Sequence, residues 1–162
     1  MKIAFVMGSD SDLPVVQQGI EVVKSFGVPV EVRVISAHRT PAEAESFGRN
    51  AKANGIDVIV AAAGKAAHLG GVLAAYTTLP VIALPIKSST LDGLDALLSM
   101  VQMPPGIPVA TVAIDGAQNA GLLALQILGV ADESISAKLQ AYKDDMAEAV
   151  RKKDEKIRKQ YE

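Results

Sequence analysis

The stretch Val58-Ile59-Val60-Ala61-Ala62 is apolar at every position. A strand of this kind, rather than one that alternates apolar and polar residues, is typical of a parallel sheet covered by helices on both faces. Similar short runs recur along the chain and alternate with helical patterns. The pattern predicts strands at Ile3–Met7, Val30–Ile35, Val58–Ala62, Val81–Leu84 and Val109–Ile114.

Helical patterns fill the segments between these runs. In the first of them, Val16, Ile20 and Val23 fall on one face of a helix. Alternating strands and helices imply right-handed crossovers between parallel strands. We therefore predict a three-layer, flavodoxin-like α/β fold with a five-stranded parallel sheet. The predicted helices are Asp12–Phe26, Pro41–Asn54, about Ala66–Tyr76, Leu91–Val101 and Ala117–Leu128.

The C-terminal stretch predicts a helical extension over about residues 133–160. Its apolar residues recur every three or four positions, as in an amphipathic helix. They thin out after Val150, so this end either is a solvated, frayed helix or reaches across to another subunit. The 162 residues as a whole suit one domain. The apolar residues of the extension are Ile135, Leu139, Tyr142, Met146 and Val150.

The composition narrows the class of protein. A formal net charge of −2 argues against a nucleic-acid partner, which usually requires a concentrated basic patch. The absence of cysteine excludes disulfides and thiolate metal sites. The apolar run Ile3–Met7 is too short for a signal peptide, and no window approaches the roughly 18 apolar residues of a membrane span. We expect a soluble, cytoplasmic protein that does not bind a membrane.

The chain has two histidines, His38 and His68, and each follows a predicted strand. Histidine carries protons near neutrality because its ordinary pKa is about 6.5. If both strands are parallel members of one sheet, both imidazoles reach the same sheet edge, where open α/β folds bind ligands. The alternative for each is a structural role in packing. The position of His38 between a strand end and an arginine favours function.

The segment Gly8-Ser9-Asp10-Ser11-Asp12 directly follows the first predicted strand. Its glycine permits a sharp turn, and its serine hydroxyls together with the free N–H groups of the next helix suit an anion. The field at a helix end contributes only about 0.3–1 kcal/mol, so several hydrogen bonds must add to it. The alternative is capping by Ser11 or Asp12, with Pro14 in the first turn. Capping does not explain the whole polar run, which favours phosphate or ribose binding.

The segment Ser36-Ala37-His38-Arg39-Thr40-Pro41 follows the second predicted strand. Pro41 is predicted to begin the next helix, with Thr40 as its N-cap. The first two strands are neighbours in the expected order, so Arg39 is placed to reach a phosphate held by the first loop. Such a charge-assisted contact contributes roughly 1.5–3 kcal/mol. The alternative for Arg39 is a surface ion pair with Glu43.

Two further loops follow the third and fourth strands. Small residues dominate Gly64–Gly71, which contains His68. They let a ligand approach the backbone closely, or they merely permit tight packing of a helix on the sheet. Lys87-Ser88-Ser89-Thr90 predicts either a helix cap or a loop that covers a ligand.

Taken in order, these segments resemble the class I N5-carboxyaminoimidazole ribonucleotide mutases of purine biosynthesis. The resemblance covers nearly the whole chain, and several motifs in the same order make it specific. The matching motifs are Gly8–Asp12, Ser36–Pro41, Ala63–Gly71, Leu91–Asp95, Ser99–Pro104 and Gly106–Val109.

The resemblance implies an isomerase that forms 4-carboxy-5-aminoimidazole ribonucleotide without a metal or an organic cofactor. The substrate carbamate loses CO2, the CO2 stays trapped, and C4 of the imidazole recaptures it. His38 matches the family's proton-transfer histidine, which protonates N5 as CO2 leaves and later takes the C4 proton. The resemblance also implies a homo-octamer whose sites take residues from neighbouring subunits, including the Gln102–Pro104 region.

The same resemblance implies substrate-binding roles for other residues. Ser9, Ser11 and Arg39 match phosphate contacts, and Asp12 matches the ribose contact. The small-residue loop and His68 match the segment that surrounds the CO2 and the base. The expected substrate-binding set is Gly8, Ser9, Ser11, Asp12, Ser36, Arg39, Gly64, Ala67, His68 and Leu69. None of these residues is expected to hold a metal.

Two residues depart from the family pattern. Gly70 stands where the family usually has proline, which is expected to loosen the loop. Lys65 stands where glycine or alanine is usual, and a cation near His68 disfavours protonation of that imidazole.

The rival functions differ in what they require of the sequence. The nearest is a phosphoribosylaminoimidazole carboxylase that uses CO2 directly; the class II relatives with that activity lack the Ala66-Ala67-His68-Leu69 segment and commonly have lysine where Arg39 stands. A flavin-dependent electron carrier usually stacks aromatic residues on the flavin, and this chain has 3 Tyr, 3 Phe and no Trp. A receiver-type signalling domain needs an acidic residue at the end of its third strand. In this chain Gly64 follows the end of the third predicted strand, which argues against a receiver. A nucleotide sensor would bind the ribonucleotide without turnover.

Overall fold

The computed structural model describes residues 1–161 and contains two compact units, one over Met1–Ala124 and a second from Leu125 onward. Short 3₁₀ turns at Asp10–Asp12 and Leu91–Gly93 precede the first and fourth helices. The elements in chain order are β1 (Ile3–Met7), α1 (Leu13–Ser25), β2 (Val30–Val34), α2 (Pro41–Asn50), β3 (Val58–Gly64), α3 (Leu69–Tyr76), β4 (Val81–Ile86), α4 (Leu94–Val101), β5 (Ala110–Thr111), α5 (Ala117–Gly129) and α6 (Glu133–Arg158).

The five strands form one sheet in the order β2-β1-β3-β4-β5, and every neighbouring pair is parallel. This order confirms the predicted flavodoxin-like fold. The chain moves from β1 to β2 on one side and then crosses to β3 on the other side of β1. Ligands of open α/β sheets bind at such a reversal, outside the carboxyl ends of the strands.

Helices cover both faces of the sheet in the first unit. On one face, buried residues of β1, β3 and β4 pack with Phe47 of α2, Leu73 of α3 and Met100 of α4. On the other face, α1 and the start of α5 approach each other closely. A Cβ at Gly19 would lie only 2.5 Å from the Ala117 carbonyl oxygen and 3.1 Å from the ring of Phe5, so glycine is required at this crossing.

The two edge strands differ from the sequence prediction. In β2 the apolar residues alternate with charged ones, and Val34 is 56% exposed, because this strand lies at the edge and is not buried on both faces. The predicted Val109–Ile114 strand is regular only over Ala110–Thr111. Beyond it the chain still follows β4, since the Asp115 N–H donates to the Pro85 carbonyl at 2.9 Å, but the ladder is no longer regular.

Several element boundaries also shift; β3, for example, runs on to Gly64, and α3 begins at Leu69. The strand β4 runs two residues past the predicted Leu84 and includes Pro85, which sequence reasoning takes as a strand end. The helix α2 ends at Asn50, and the turns that follow close at Gly55, whose φ is +76°. The predicted Leu91–Val101 helix begins only at Leu94, because three consecutive residues before it have positive φ.

The second unit contains the predicted C-terminal helix. The Asp132 side chain caps α6 by accepting the Ile135 N–H at 3.0 Å. Ile135 is buried, whereas Val150 and Ile157 are exposed. Among residues 1–161, no helix combines the length and apolar character needed to cross a membrane.

Candidate active site

The loops after β1, β2, β3 and β4 meet in one cavity of about 610 Å³ at the carboxyl edge of the sheet. This volume falls within the range of about 300–1,000 Å³ that small-molecule sites occupy. Ten of the eleven residues predicted from the sequence as catalytic or substrate-binding line the cavity. They are Gly8, Ser9, Ser11, Asp12, Ser36, His38, Arg39, Gly64, His68 and Leu69. The eleventh, Ala67, is buried in the hydrophobic core and does not line the cavity.

The two histidines are in direct contact at the cavity wall. His38 Nε2 lies 2.8 Å from His68 Nδ1, and the rings meet edge to face with centroids 5.0 Å apart. One ring must donate and the other accept, so at least one imidazole is neutral in this arrangement. The contact exists because β2 and β3 flank β1 on opposite sides, and the loops that follow them converge above its end.

The loop after β1 is held by its own side chains. Ser9 Oγ accepts the Ser11 N–H at 3.3 Å and lies 2.9 Å from Ser11 Oγ. Ser9 therefore caps the 3₁₀ turn, and Asp12 stands at the start of α1 without a capping hydrogen bond from its side chain. Pro14 lies in the first turn of α1, as predicted. The predicted side-chain cap of α1 by Ser11 or Asp12 is therefore not formed, although Asp12 occupies the N-cap position.

Arg39 reaches across from the second loop to the first. Its Nη2 donates to the Gly8 carbonyl at 3.1 Å, and its Nε donates to Ser36 Oγ at 3.2 Å. Arg39 does not form the alternative ion pair with Glu43, and both residues lie in the part of the chain that the structure describes. The guanidinium thus lies beside the serine loop, where its remaining N–H groups are available to an anion.

Thr40 stabilises this loop in a way that the sequence did not indicate. It stands before α2 but makes no side-chain cap. Its hydroxyl donates to the Ser36 carbonyl and accepts the Ser36 N–H, each at 3.0 Å. The loop that carries His38 is therefore closed on itself.

Asp12 is a largely buried carboxyl group at the cavity wall, with 8% of its surface exposed. Burial raises the pKa of Asp12, and the nearby Asp10 charge raises it further. Hydrogen bonds from the Ser9 backbone and the Ser11 hydroxyl lower the pKa, but burial has the largest effect. A partly desolvated carboxylate is a strong acceptor for hydroxyl groups.

The small-residue loop combines close packing with access to the cavity. A Cβ at Gly64 would lie 3.2 Å from the Ile86 carbonyl oxygen, and one at Gly71 would lie 3.0 Å from the Met103 methyl group. These glycines permit tight packing, which was one of the two interpretations from sequence. Gly64, Ala66 and Leu69 also line the cavity. A ligand in the cavity can therefore approach the backbone of this loop, which was the other interpretation from the sequence.

Sequence reasoning singled out most of the cavity but not all of it. Ile86, the last residue of β4, also lines the cavity and was not predicted. Lys87, Ser88 and Ser89 line it as well, and they come from the segment for which the sequence left a helix cap and a ligand-covering loop as alternatives. Within residues 1–161, no group of three or more His, Asp and Glu side chains is arranged to hold a metal ion.

A family model for AIR carboxylase matches residues 2–149. This chain belongs to the AIR carboxylase family. The N5-carboxyaminoimidazole ribonucleotide mutase of Pyrococcus abyssi is 59% identical over 145 residues, which are 90% of this chain and 83% of that protein. The corresponding mutase of Methanocaldococcus jannaschii is 54% identical over 98% of this chain and 99% of its own length.

Two further similarities concern a plant relative and a solved structure. The chloroplastic phosphoribosylaminoimidazole carboxylase of Vigna aconitifolia is 52% identical over 97% of this chain, which spans only 28% of the plant protein. The crystal structure of Treponema denticola PurE superposes with a TM-score of 0.88 and 28% identity, covering 96% of this chain and 97% of that one. The family and the fold predicted from the sequence are both confirmed.

Proposed function

We propose that this chain is an isomerase of purine biosynthesis that converts N5-carboxyaminoimidazole ribonucleotide to 4-carboxy-5-aminoimidazole ribonucleotide. The mutases among its relatives support this reaction. The observation that carries the mechanism is the placement of His38 in the cavity wall, between the polar loop after β1 and the small-residue loop after β3.

The ribonucleotide is held at one end of the cavity by its phosphate. Ser9, Ser11 and Arg39 supply two hydroxyl groups and a guanidinium there, and Arg39 already lies over the first loop. Asp12 accepts hydrogen bonds from the ribose hydroxyls. These contacts are equally strong in the substrate complex and in the transition state. They therefore position the base and do not by themselves lower the barrier of the chemical step.

His38 then moves one proton between two atoms of the base. The bond between N5 and the carboxyl carbon breaks, its electron pair stays on N5, and CO2 is released as His38 protonates N5. C4 next attacks the CO2 carbon, forming the new carbon–carbon bond, and His38 takes the proton from C4. The proton and the CO2 are both recovered, so this cycle balances without a metal or an organic cofactor. General acid–base help of this kind contributes about 10²–10⁴-fold.

The small-residue loop keeps CO2 beside the base. Gly64, Ala66 and Leu69 present small or apolar surface at the cavity wall, next to His68. Confinement converts recapture into an effectively intramolecular step, which raises the effective concentration of CO2 at C4. His68 orients His38 through their hydrogen bond.

We also propose that the whole chain acts as one α/β domain within a cytoplasmic homo-octamer, with α6 packing on a neighbouring subunit. Exposed apolar side chains support self-association. Leu94, Leu98 and Val101 are spaced along one face of α4 and are each about half exposed, at 48%, 51% and 46%. They directly precede Gln102–Pro104, the region expected to enter a neighbouring site. The molar mass in solution from light scattering tests the octamer.

A carboxylase that takes CO2 directly is the second candidate, because the plant relative at 52% identity carries that name. Separate assays distinguish the two. The purified protein is given N5-carboxyaminoimidazole ribonucleotide, or 5-aminoimidazole ribonucleotide with bicarbonate, and the formation of the 4-carboxylated product is followed. Turnover of the first substrate without added bicarbonate supports the mutase. Turnover of the second substrate alone overturns it in favour of the carboxylase.

A further inference from the structure

Lys65 is a cation at the cavity wall that the proposed mechanism does not use. It lines the cavity, and its residue is exposed to solvent. Within residues 1–161, no hydrogen bond or ion pair engages its ammonium group. By contrast, Lys87 on the same wall is paired with Asp92 at 3.2 Å, and Arg39 donates to Gly8 and Ser36.

The backbone at Lys65 adopts a conformation that favours glycine. Its φ is +57°, in the left-handed region where a side chain with a Cβ is disfavoured. Residues with strained backbone conformations concentrate at ligand sites, where the side chain offsets the cost through its function. A lysine at this position is therefore informative, since a glycine would be accommodated there without strain.

The cations of the cavity match the anionic groups of the proposed substrate. Arg39 lies with the serine loop, at the end assigned to the phosphate. Lys65 lies in the same loop as His68, at the end assigned to the base and its carboxyl group. An unpaired ammonium group in a ligand cavity favours an anion.

We propose that the Lys65 ammonium group binds the carboxylate of the ligand, both the carbamate of the substrate and the 4-carboxylate of the product. The proposal rests on the proposed function, because that function supplies a carboxylated ribonucleotide. It makes Lys65 a specificity-determining residue: the site distinguishes carboxylated from decarboxylated ribonucleotides through this one contact.

Equilibrium binding measured by calorimetry tests the proposal with two ligands that differ only in the carboxylate. These are 4-carboxy-5-aminoimidazole ribonucleotide and 5-aminoimidazole ribonucleotide. We expect Lys65→Gly to weaken binding of the carboxylated ligand about 10-fold or more and to leave the decarboxylated one within about 2-fold, as expected for loss of a charge-assisted hydrogen bond. Lys65→Arg is expected to restore the preference.

Two controls separate this contact from a general effect. Lys52→Ala removes an exposed lysine that does not line the cavity, and we expect the ratio of the two affinities to stay as in the parent protein. Thermal unfolding of Lys65→Gly is expected to occur at a higher temperature, because the left-handed conformation no longer carries a Cβ. A folded, stabilised variant that loses affinity for one ligand alone cannot be explained by collapse of the loop.

Equal weakening of both ligands, or no change in either, would overturn the role of Lys65 while leaving the proposed function intact. A parent protein that binds neither ribonucleotide would overturn the proposed function itself, and the role of Lys65 with it.

Discussion

The loop after β1 and the loop after β3 occupy equivalent places in the fold but differ in construction. Each follows a buried strand and leads into a helix whose first residue is leucine, Leu13 in α1 and Leu69 in α3. The first loop is held by hydrogen bonds among its own serine and aspartate side chains. The second has small residues, a lysine in the left-handed conformation and no polar network beyond the contact between the histidines.

We propose that this difference separates two tasks at one sheet edge. A loop with its polar groups already paired and oriented is suited to hold a phosphate and a ribose. A loop with small side chains leaves room for a base and for CO2 close to the strand ends. The loop after β2 connects these two loops. Its His38 contacts His68 of the loop after β3, and its Arg39 contacts Gly8 of the loop after β1.

The largest effect is expected from His38→Asn, which removes the imidazole proposed to carry the proton. Turnover of N5-carboxyaminoimidazole ribonucleotide is expected to fall by about 10²–10⁴-fold, with KM changed little, because the binding contacts remain. Steady-state kinetics measures both parameters. Circular dichroism and molar mass should match the parent protein, and near-normal turnover would remove His38 from the mechanism.

The next largest effect concerns Arg39, which lies beside the polar loop after β1. Arg39→Ala is expected to raise the dissociation constant for the product about 10- to 150-fold, as for the loss of a charge-assisted hydrogen bond of about 1.5–3 kcal/mol. Calorimetry measures it. Arg49→Ala is the matched control, since Arg49 is an exposed arginine on α2 paired with Glu45. Unchanged binding in Arg39→Ala would contradict the phosphate contact.

Asp12→Asn tests whether the buried carboxyl group serves binding at the expense of stability. Burial raises the pKa of Asp12, so the folded state binds this proton more tightly than the unfolded chain. The folded state therefore loses stability as pH rises through the ordinary aspartate value of about 3.9, and the loss is complete above the raised pKa. The variant should unfold at a higher temperature than the parent protein at pH 7, and the difference should shrink towards pH 3.

The same variant should bind ribonucleotide several-fold less tightly at pH 7, because a hydrogen bond from the ribose contributes about 0.5–1.5 kcal/mol. Thermal unfolding across pH and calorimetry supply the two measurements. A variant that is less stable than the parent at pH 7 would contradict the effect of burial on this carboxyl group.

The smallest effect is expected at the first turns of α1 and α3, which differ in their second residue. Pro14 stands at the second position of α1, after Leu13, whereas Gly70 stands at the second position of α3, after Leu69. A Cβ at position 70 would meet neighbouring atoms at 3.5 Å or more. Gly70→Pro is expected to stabilise the protein by about 0.4–1 kcal/mol, chiefly by restricting the unfolded chain.

Denaturant unfolding measures that gain. Gly71→Ala is the control, because its new Cβ would lie 3.0 Å from the Met103 methyl group and the neighbour would have to move. We expect no stabilisation there. A loss of stability in Gly70→Pro would show that the loop requires glycine at position 70.

The sequence predicted which loops meet but not how their side chains meet. Buried apolar runs alternating with helices define the strand order, and the strand order brings the loops of His38 and His68 to one edge. The 2.8 Å contact between the imidazoles depends on side-chain conformations that no residue pattern encodes. Ala67, which the family resemblance placed among the substrate-binding residues, has its side chain buried in the core.

Other differences have equally local causes. Val34 is exposed because a parallel sheet of this order leaves β2 at an edge. The regular part of β5 covers only two residues, whereas β2, which also has a single neighbour, pairs over five. The left-handed backbone of Lys65 could not be predicted from a lysine, because only glycine and, less strongly, asparagine and aspartate signal that conformation.

We propose that His38 carries one proton between N5 and C4 while the carboxyl group moves within one ribonucleotide. Proton NMR of the C4–H signal tests it most directly, with N5-carboxyaminoimidazole ribonucleotide as substrate and no added bicarbonate. We expect the parent protein to abolish this signal as product forms, whereas His38→Asn leaves only the slow loss of CO2, which retains the C4 proton. Loss of the signal at the same rate in both proteins would contradict it.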